Sequence, residues 1–306
     1  MTSRSRITTN IREAATVLLS GGIIGLPTET VYGLAAIATN QEAVTRIFST
    51  KGRPTSHPLI VHLGPSVDPE EWGDFNDAAQ SLARKFWPGP LTLLVPRTSR
   101  VPDWVTGGRD SVALRMPSHP IAQQLLDEVN TGVVAPSANR FGKVSPTTAQ
   151  HVVDDLGEDV DLVLDGGSCT IGVESTIVEC VGDDVTILRP GSISSEEIYR
   201  ATAISSTSET GEIRAPGMLA SHYAPRAEVV LFDDINEANN AMERSRANNK
   251  KTYLLHHDDV NEYAMSLYAE LRSADSTGVD IIFAVLPHPS GVGIAIRDRL
   301  AKAAHR

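Results

Sequence analysis

Long apolar runs, cysteines, an excess of positive charge and the usual nucleotide-binding fingerprints are all scarce or missing from this 306-residue chain. Each absence closes off a class of function. No stretch approaches the ~20 consecutive apolar residues that a bilayer-spanning helix needs. The basic start, MTSRSRITTN, is not followed by the apolar core of a signal peptide, because the next apolar residues recur with helical spacing and stop at Gly21-Gly22. A cytoplasmic protein without membrane contact is expected. Two cysteines, Cys169 and Cys180, give neither a disulfide framework nor a zinc set, and read as packing residues in a reducing compartment. With 27 Lys and Arg against 38 Asp and Glu, the formal net charge is -11, which argues against nucleic-acid binding as the main activity. Anion-binding residues in such a chain must act locally, and a recessed pocket serves that better than an open surface. There is no G-x-x-x-x-G-K-[ST] loop, and Gly291-Val292-Gly293 lacks the third glycine of a dinucleotide fingerprint. No histidine pair has metal-ligand spacing, so no metal ligands are assigned, and no G-x-S-x-G turn offers an acyl-enzyme nucleophile.

What is present is alternation of helices and strands. Ile11, Ala14, Ala15, Leu18 and Leu19 follow the helical period, with Asn10 and Glu13 as a capping pair. A buried strand, GIIGL, then breaks at Pro27 into the turn Thr28-Glu29-Thr30. The chain returns through VYGLAA and a short helix to the basic corner Lys51-Gly52-Arg53-Pro54, and the strand PLIVHL ends near His62. A helix from Asn76 to Phe86 stops at Trp87-Pro88-Gly89-Pro90. Strands LTLLV and VALRM, a helix capped by Ser118, the strand VVAP, and a helix opened by Ser145-Pro146-Thr147-Thr148 follow. Then come LVLDGG, STIVEC, DVTILRPG and a short helix with a Ser194/Glu197 capping box. The pattern implies an α/β sheet covered by helices over residues 1–201. A polar linker and lid segment is expected over 202–226. Residues 227–306 repeat the alternation with three strands (AEVVLF, TYLLH, DIIFAVLP) and helices at 238–247, Tyr263–Arg272 and from Ile294, enough for a small parallel sheet.

Candidate functional groups sit at the strand ends. Lys51 and Arg53 could present two charges to a triphosphate, or form a solvated basic turn. Arg115 follows Val112-Ala113-Leu114 inside a strand, where it needs either an anionic ligand or a structural partner. Ser137 lies just past a strand end, where open α/β sheets bind ligands. Ser145 reads as an N-cap or as part of a phosphate-binding helix start. Thr28 and Thr30 could bind a ligand or satisfy their own turn. Ser175 and Thr176 precede a buried strand, Arg189 ends another, and His62 fits a ligand contact or a core histidine. His222 and Tyr223 follow the linker as a hinge anchor or a lid.

The stretches LPTETVYGLAA, KGRP with HPLIVH, FWPGPLTLLV, VALRMPSHP, VVAPSANRFGKVSPT, GVESTIVEC and LRPGSI resemble, in order, the motifs of YrdC-type threonylcarbamoyl-AMP synthases. APGMLASHYAP and the terminal GVGIAIRDRLAKAA are similar to the two-domain form of that family. The resemblance implies a twisted open mixed sheet with helices packed on it, followed by a smaller C-terminal domain with a Rossmann-like parallel sheet. It implies a nucleotidyltransferase that joins L-threonine, bicarbonate and ATP, with Mg2+, into L-threonylcarbamoyl-AMP and pyrophosphate. The product would pass to a tRNA threonylcarbamoyl-transfer complex, with at most weak tRNA contact by this chain. By position, Thr30, His62, Arg115, Ala135 and Ser175 match the threonine-binding places. Lys51, Arg53, His57, Ser111, Ser137, Ser145, Arg189 and Tyr223 match the nucleotide-binding ones. His57 stands where the family usually has Asn, and Ala215 where it usually has Ser. Two rival readings remain at this level: an RNA-binding module without catalysis, and an adenylate-forming enzyme for another amino acid.

Overall fold

The computed structural model describes residues 6–182, 184–208 and 223–305. The first part of the chain runs through β1 (Arg6–Thr8), α1 (Ile11–Leu19), β2 (Ile24–Leu26), β3 (Gly33–Ile37), α2 (Gln41–Lys51) and β4 (Ile60–His62). It continues with α3 (Asp77–Phe86), β5 (Leu91–Pro96), a one-turn α4 (Asp103–Thr106), β6 (Ser111–Arg115), α5 (Pro120–Val129) and β7 (Val133–Val134). Then follow α6 (Ala149–Leu156), β8 (Leu162–Leu164), β9 (Thr176–Glu179), β10 (Thr186–Arg189), α7 (Ser195–Thr202) and β11 (Thr207–Ser208). These strands form one mixed sheet in the order β1-β8-β2-β3-β7-β4-β6-β5-β9-β10-β11. The last part contributes β12 (Glu228–Phe232), α8 (Ile235–Ala247), β13 (Thr252–Leu255), α9 (Val260–Ser276), β14 (Ile281–Val285) and α10 (Val292–Ala304). Its three strands, ordered β12-β14-β13, are all parallel, as the spacing of strand and helix signals predicts.

Local chemistry explains most boundaries. Asn10 caps α1 through the Glu13 N–H, and Ser194 with Glu197 closes a reciprocal box on α7. Two expected caps are corrected. The N-cap of α5 is His119, not Ser118, and has no side-chain bond; Pro120 at the first helical position sets the turn instead. The helix expected to open at Ser145 begins at Ala149 with Thr148 as its cap, because Ser145 turns its hydroxyl to a distant carboxylate. In the last part α8 and α9 start earlier than apolar spacing suggests, since Asp234 and Asp259 each accept two backbone N–H groups at the helix start. The expected linker begins within regular structure: Thr202 ends α7, and Thr207–Ser208 pair with β10. Residues 209–222, including Ala215 and the expected lid residue His222, lie outside the described residues.

The sheet is buried on its two faces to different degrees. On one face Val61, Leu93, Val95, Val112, Leu114 and Val134 join the largest apolar cluster. Their alternating neighbours Ile60, Leu94 and Ala113 belong, with Ile177 and Leu188, to a cluster of only five on the other face. The polar strand-end residues stand beside that small cluster.

Candidate active site

Strand register assembles the first half of the site. β4 and β6 run parallel and place His62 opposite Arg115, while antiparallel β5 places Thr92 on the other side of Arg115. A hydrogen bond of 2.7 Å links Thr92 Oγ1 to Ser175 Oγ, just ahead of β9. The loop after β7 closes in because residue 33 is glycine: a Cβ there would lie 2.8 Å from that of Ala135. At the far side, a register shift between Ile187 and Arg189 lets Arg189 as well as Leu188 join this face. The result is a cavity of about 50 Å³ whose lining includes Thr30, Arg53, His62, Arg115, Ala135, Ser137, Glu174, Ser175, Arg189 and Tyr223.

Its charges are buried and held from behind. The Arg115 guanidinium donates to Glu29 Oε1 at 2.7 Å, to Thr30 Oγ1 at 2.9 Å and to the Gly89 carbonyl at 3.4 Å. Two of its five N–H donors remain for a ligand. Burial pushes the Glu29 carboxyl up, but the charge and hydrogen bond of Arg115 outweigh it and hold the group below its ordinary value. Burial, and then the Arg115 charge, push His62 down to about 3, so the imidazole is neutral and serves as a hydrogen-bonding group rather than a base. Its Nδ1 is buried without a partner. Arg53 donates to the Pro58 carbonyl, has an unpartnered buried Nε, and has no carboxylate partner among the described residues. Burial is the main cause that brings its pKa down to about 10, still a cation at neutral pH. A buried guanidinium in this condition is prepared for an anion.

Not every expected residue reaches the cavity. Lys51 Nζ is buried behind the SAN loop, donating to the carbonyls of Ser137 at 2.5 Å and Asn139 at 2.6 Å. Burial and the neighbouring Arg53 charge hold it well below the ordinary lysine value. Ser145 is fully buried and donates to Glu174 Oε1 at 2.7 Å. His57 packs at 5.6 Å against the Phe141 ring, and Ser111 sits at the opposite end of β6 from Arg115. Neither lines the cavity.

Sequence reasoning missed Glu29 and Glu174. Both are acidic residues next to hydroxyls, in Thr28-Glu29-Thr30 and Glu174-Ser175-Thr176, and that pairing was the available signal. Glu174 is the one acidic residue lining the cavity among the described residues. Its Oε1 accepts from the Ser145 hydroxyl, and its Oε2 accepts from Tyr268 and from Arg299, each at 2.8 Å. Burial raises this carboxyl, yet the charges of Arg299 and Arg189 and the hydrogen bonds bring it down to about 2. With its oxygens so engaged it does not fit a metal ligand, and no group of three metal-ligating side chains occurs among the described residues. Cys169 and Cys180 are buried free thiols pushed up to about 12, which removes them as nucleophiles. Arrayed cations and hydroxyls with no activated nucleophile suit the positioning of anionic reactants rather than covalent catalysis.

Comparison with known proteins matches the chain in two consecutive stretches, the second of which begins ahead of α7. Residues 16–191 match the Sua5, YciO and YrdC family, described as Telomere recombination, and residues 193–305 match the Threonylcarbamoyl-AMP synthase C-terminal domain. The Threonylcarbamoyl-AMP synthase of Pyrococcus abyssi is 38% identical, over 96% of this chain and 93% of that protein. The Bacillus subtilis protein of the same name is 37% identical, over 96% and 92%. A crystal structure of P. abyssi Sua5 complexed with L-threonine superposes with a TM-score of 0.91 at 37% identity, covering 98% of this chain and 96% of that one. E. coli YciO, at 22% identity and a TM-score of 0.54, shares the fold over 63% of this chain.

Proposed function

The chain belongs to the Sua5/YciO/YrdC family in the form that carries the threonylcarbamoyl-AMP synthase C-terminal domain, and we propose that it joins L-threonine, bicarbonate and ATP into L-threonylcarbamoyl-AMP and pyrophosphate. The observation that carries this reading is the convergence of Arg53, Arg115 and Arg189 with Thr30, Ser137 and Ser175 on one buried cavity. Threonine's carboxylate takes the two remaining donors of Arg115, and its hydroxyl and amine find Thr30, neutral His62 and Ser175. The amine attacks the carbon of bicarbonate and water leaves to give a carbamate, whose oxygen attacks the α-phosphorus of ATP as pyrophosphate leaves. Arg53 and Arg189 meet the phosphate charge, and Lys51 acts one layer back by fixing the Ser137 loop. Mg2+ arrives on the phosphates of ATP, since the described residues offer it no group of three ligating side chains.

A nucleotide needs several hundred Å³, so the cavity of about 50 Å³ must widen to accept one. Tyr223 is the wall best suited to move: it is a non-glycine residue at φ 62, buried, and placed at the start of the C-terminal part. The product is a mixed anhydride that water destroys, so a closed pocket protects it until a tRNA-modifying partner consumes it. Two buried free thiols suit a reducing, cytoplasmic setting.

The test is pyrophosphate release by the purified protein, with mass detection of the adenylate. Release should require both L-threonine and bicarbonate. Release independent of either, or a different preferred amino acid, would overturn the reading. Tight, strongly salt-dependent tRNA binding without turnover would favour the RNA-binding alternative; Arg53, Arg115 and Arg189 are buried in the cavity rather than spread on a surface.

A further inference from the structure

The most deeply buried arginine of the C-terminal part lies outside its own strand-end hollow. The Arg299 side chain, on α10, has no solvent exposure and reaches into the wall of the cavity formed by the first part of the chain. Its Nε donates to Glu174 Oε2 at 2.8 Å and its Nη2 to the Pro190 carbonyl at 3.1 Å, next to Arg189. The guanidinium carbon stands 5.3 Å from the centre of the Tyr223 ring, which itself stacks on Tyr268 at 5.6 Å. One side chain thus touches three neighbouring parts of the pocket from outside.

We propose that Arg299 is a positioning residue of the nucleotide pocket: it keeps Glu174 a carboxylate in the cavity wall, and Glu174 in turn orients the Ser145 hydroxyl. This rests on the adenylate-forming reading above. A buried carboxylate without a counter-charge takes up a proton. The groups facing Glu174 are Arg299 from α10, Tyr268 from α9, Ser145 from the loop before α6, Arg189 from the end of β10, and Tyr223. Without Arg299, Arg189 is the cation left to hold the ionised form. A protonated Glu174 would donate a hydrogen bond where it now accepts one, the Ser145 proton would turn elsewhere, and the wall facing the phosphates would lose its set geometry.

A second attachment, independent of Arg299, joins the two parts. Arg272 on α9 pairs with Asp155 through both carboxylate oxygens, at 3.0 and 2.5 Å, and donates to the carbonyls of Val144 and Ser145. The approach of α9 to the loop before Glu174 is so close that a Cβ at Gly172 would lie 2.3 Å from the Ala264 carbonyl oxygen.

The experiment compares R299Q, E174Q/R299Q and Y268F with the unaltered protein in steady-state kinetics from about pH 5 to 9, alongside calorimetric ATP binding. In R299Q the KM and Kd for ATP should rise about tenfold, the threonine KM should stay within about twofold, and a new acid limb should enter the pH profile. E174Q/R299Q should lose that limb because the ionisable group is gone. If R299Q does not fold, Y268F decides: one lost donor to Glu174 should raise the ATP Kd about threefold and introduce a weaker limb. A lower melting temperature with unchanged ATP affinity and pH profile would reduce Arg299 to a domain fastener and overturn the proposal. Absence of threonine-dependent turnover in the unaltered protein would instead overturn the proposed reaction, while ATP calorimetry still tests the positioning role of Arg299.

Discussion

At the strand ends of the large sheet, Arg115 and Glu29 are almost wholly buried and held 2.7 Å apart, with hydroxyls set against them. At the ends of β12, β13 and β14, a hollow of about 410 Å³ carries Asp233, Asp234, Asp258 and three histidines, but lies open to water. Its ion pairs differ accordingly: Arg297 meets an Asp233 whose side chain is 79% exposed. Water screens such charges, so they exert little directed field on a ligand, whereas the buried set acts in a low dielectric with its orientation fixed in advance. The small parallel sheet has the topology of a binding domain, yet two buried polar side chains of this part, Arg299 and Tyr268, point into the other part of the molecule.

The contrast breaks most sharply at Arg115. R115M should lower threonine-dependent pyrophosphate release by about 1000-fold and destabilise the protein by about 3–5 kcal/mol, because Glu29 is left buried and unpaired. In E29Q/R115M, stability measured by denaturant titration should largely return while activity does not. Recovery of both would make Arg115 purely structural.

Next in size is R53A, for which kcat/KM for ATP should fall about 100-fold with little change in the threonine KM. Unaltered pyrophosphate release would remove Arg53 from the phosphate site.

A pH effect distinguishes buried from solvated imidazoles. The folded pKa of His62, about 3, lies below its ordinary 6.5, so the unfolded chain takes up a proton first as the solution is acidified. Stability is therefore full above about pH 6.5 and is lost progressively as the pH falls toward 3, by a few kcal/mol from this group. H62N should flatten that slope in denaturant titrations at stepped pH, and an unchanged slope would refute the assignment.

The smallest effect is expected in the open hollow. H288A or D233N should leave turnover within about twofold of the unaltered protein, as is usual for solvated surface groups. A tenfold loss would show that the second hollow takes part in the reaction and would dissolve the contrast drawn here.

Much of this was readable from residues in a row. The alternation of periods gave the helices and strands, Asn10 and Ser194 marked helix starts, and Arg115 in an apolar strand demanded a partner. Ser145 misled, since Ser-Pro-Thr-Thr looks like a helix start, whereas the hydroxyl that caps α6 belongs to Thr148. Lys51 and Arg53, two residues apart, read as one basic corner; folding sends one behind the SAN loop and the other into the cavity. Glu174 and Arg299 stand 125 positions apart, and no local pattern joins them.

The sequence by itself determined which segments become strands and helices and which polar residues fall at strand ends, because backbone sterics and the burial of apolar side chains act over a few neighbouring residues. Only the tertiary structure decided which of those polar groups face one cavity and which carboxylate meets which guanidinium. Those outcomes depend on strand register and on the docking of one sheet against another, where a shift of a single residue turns a side chain to the opposite face.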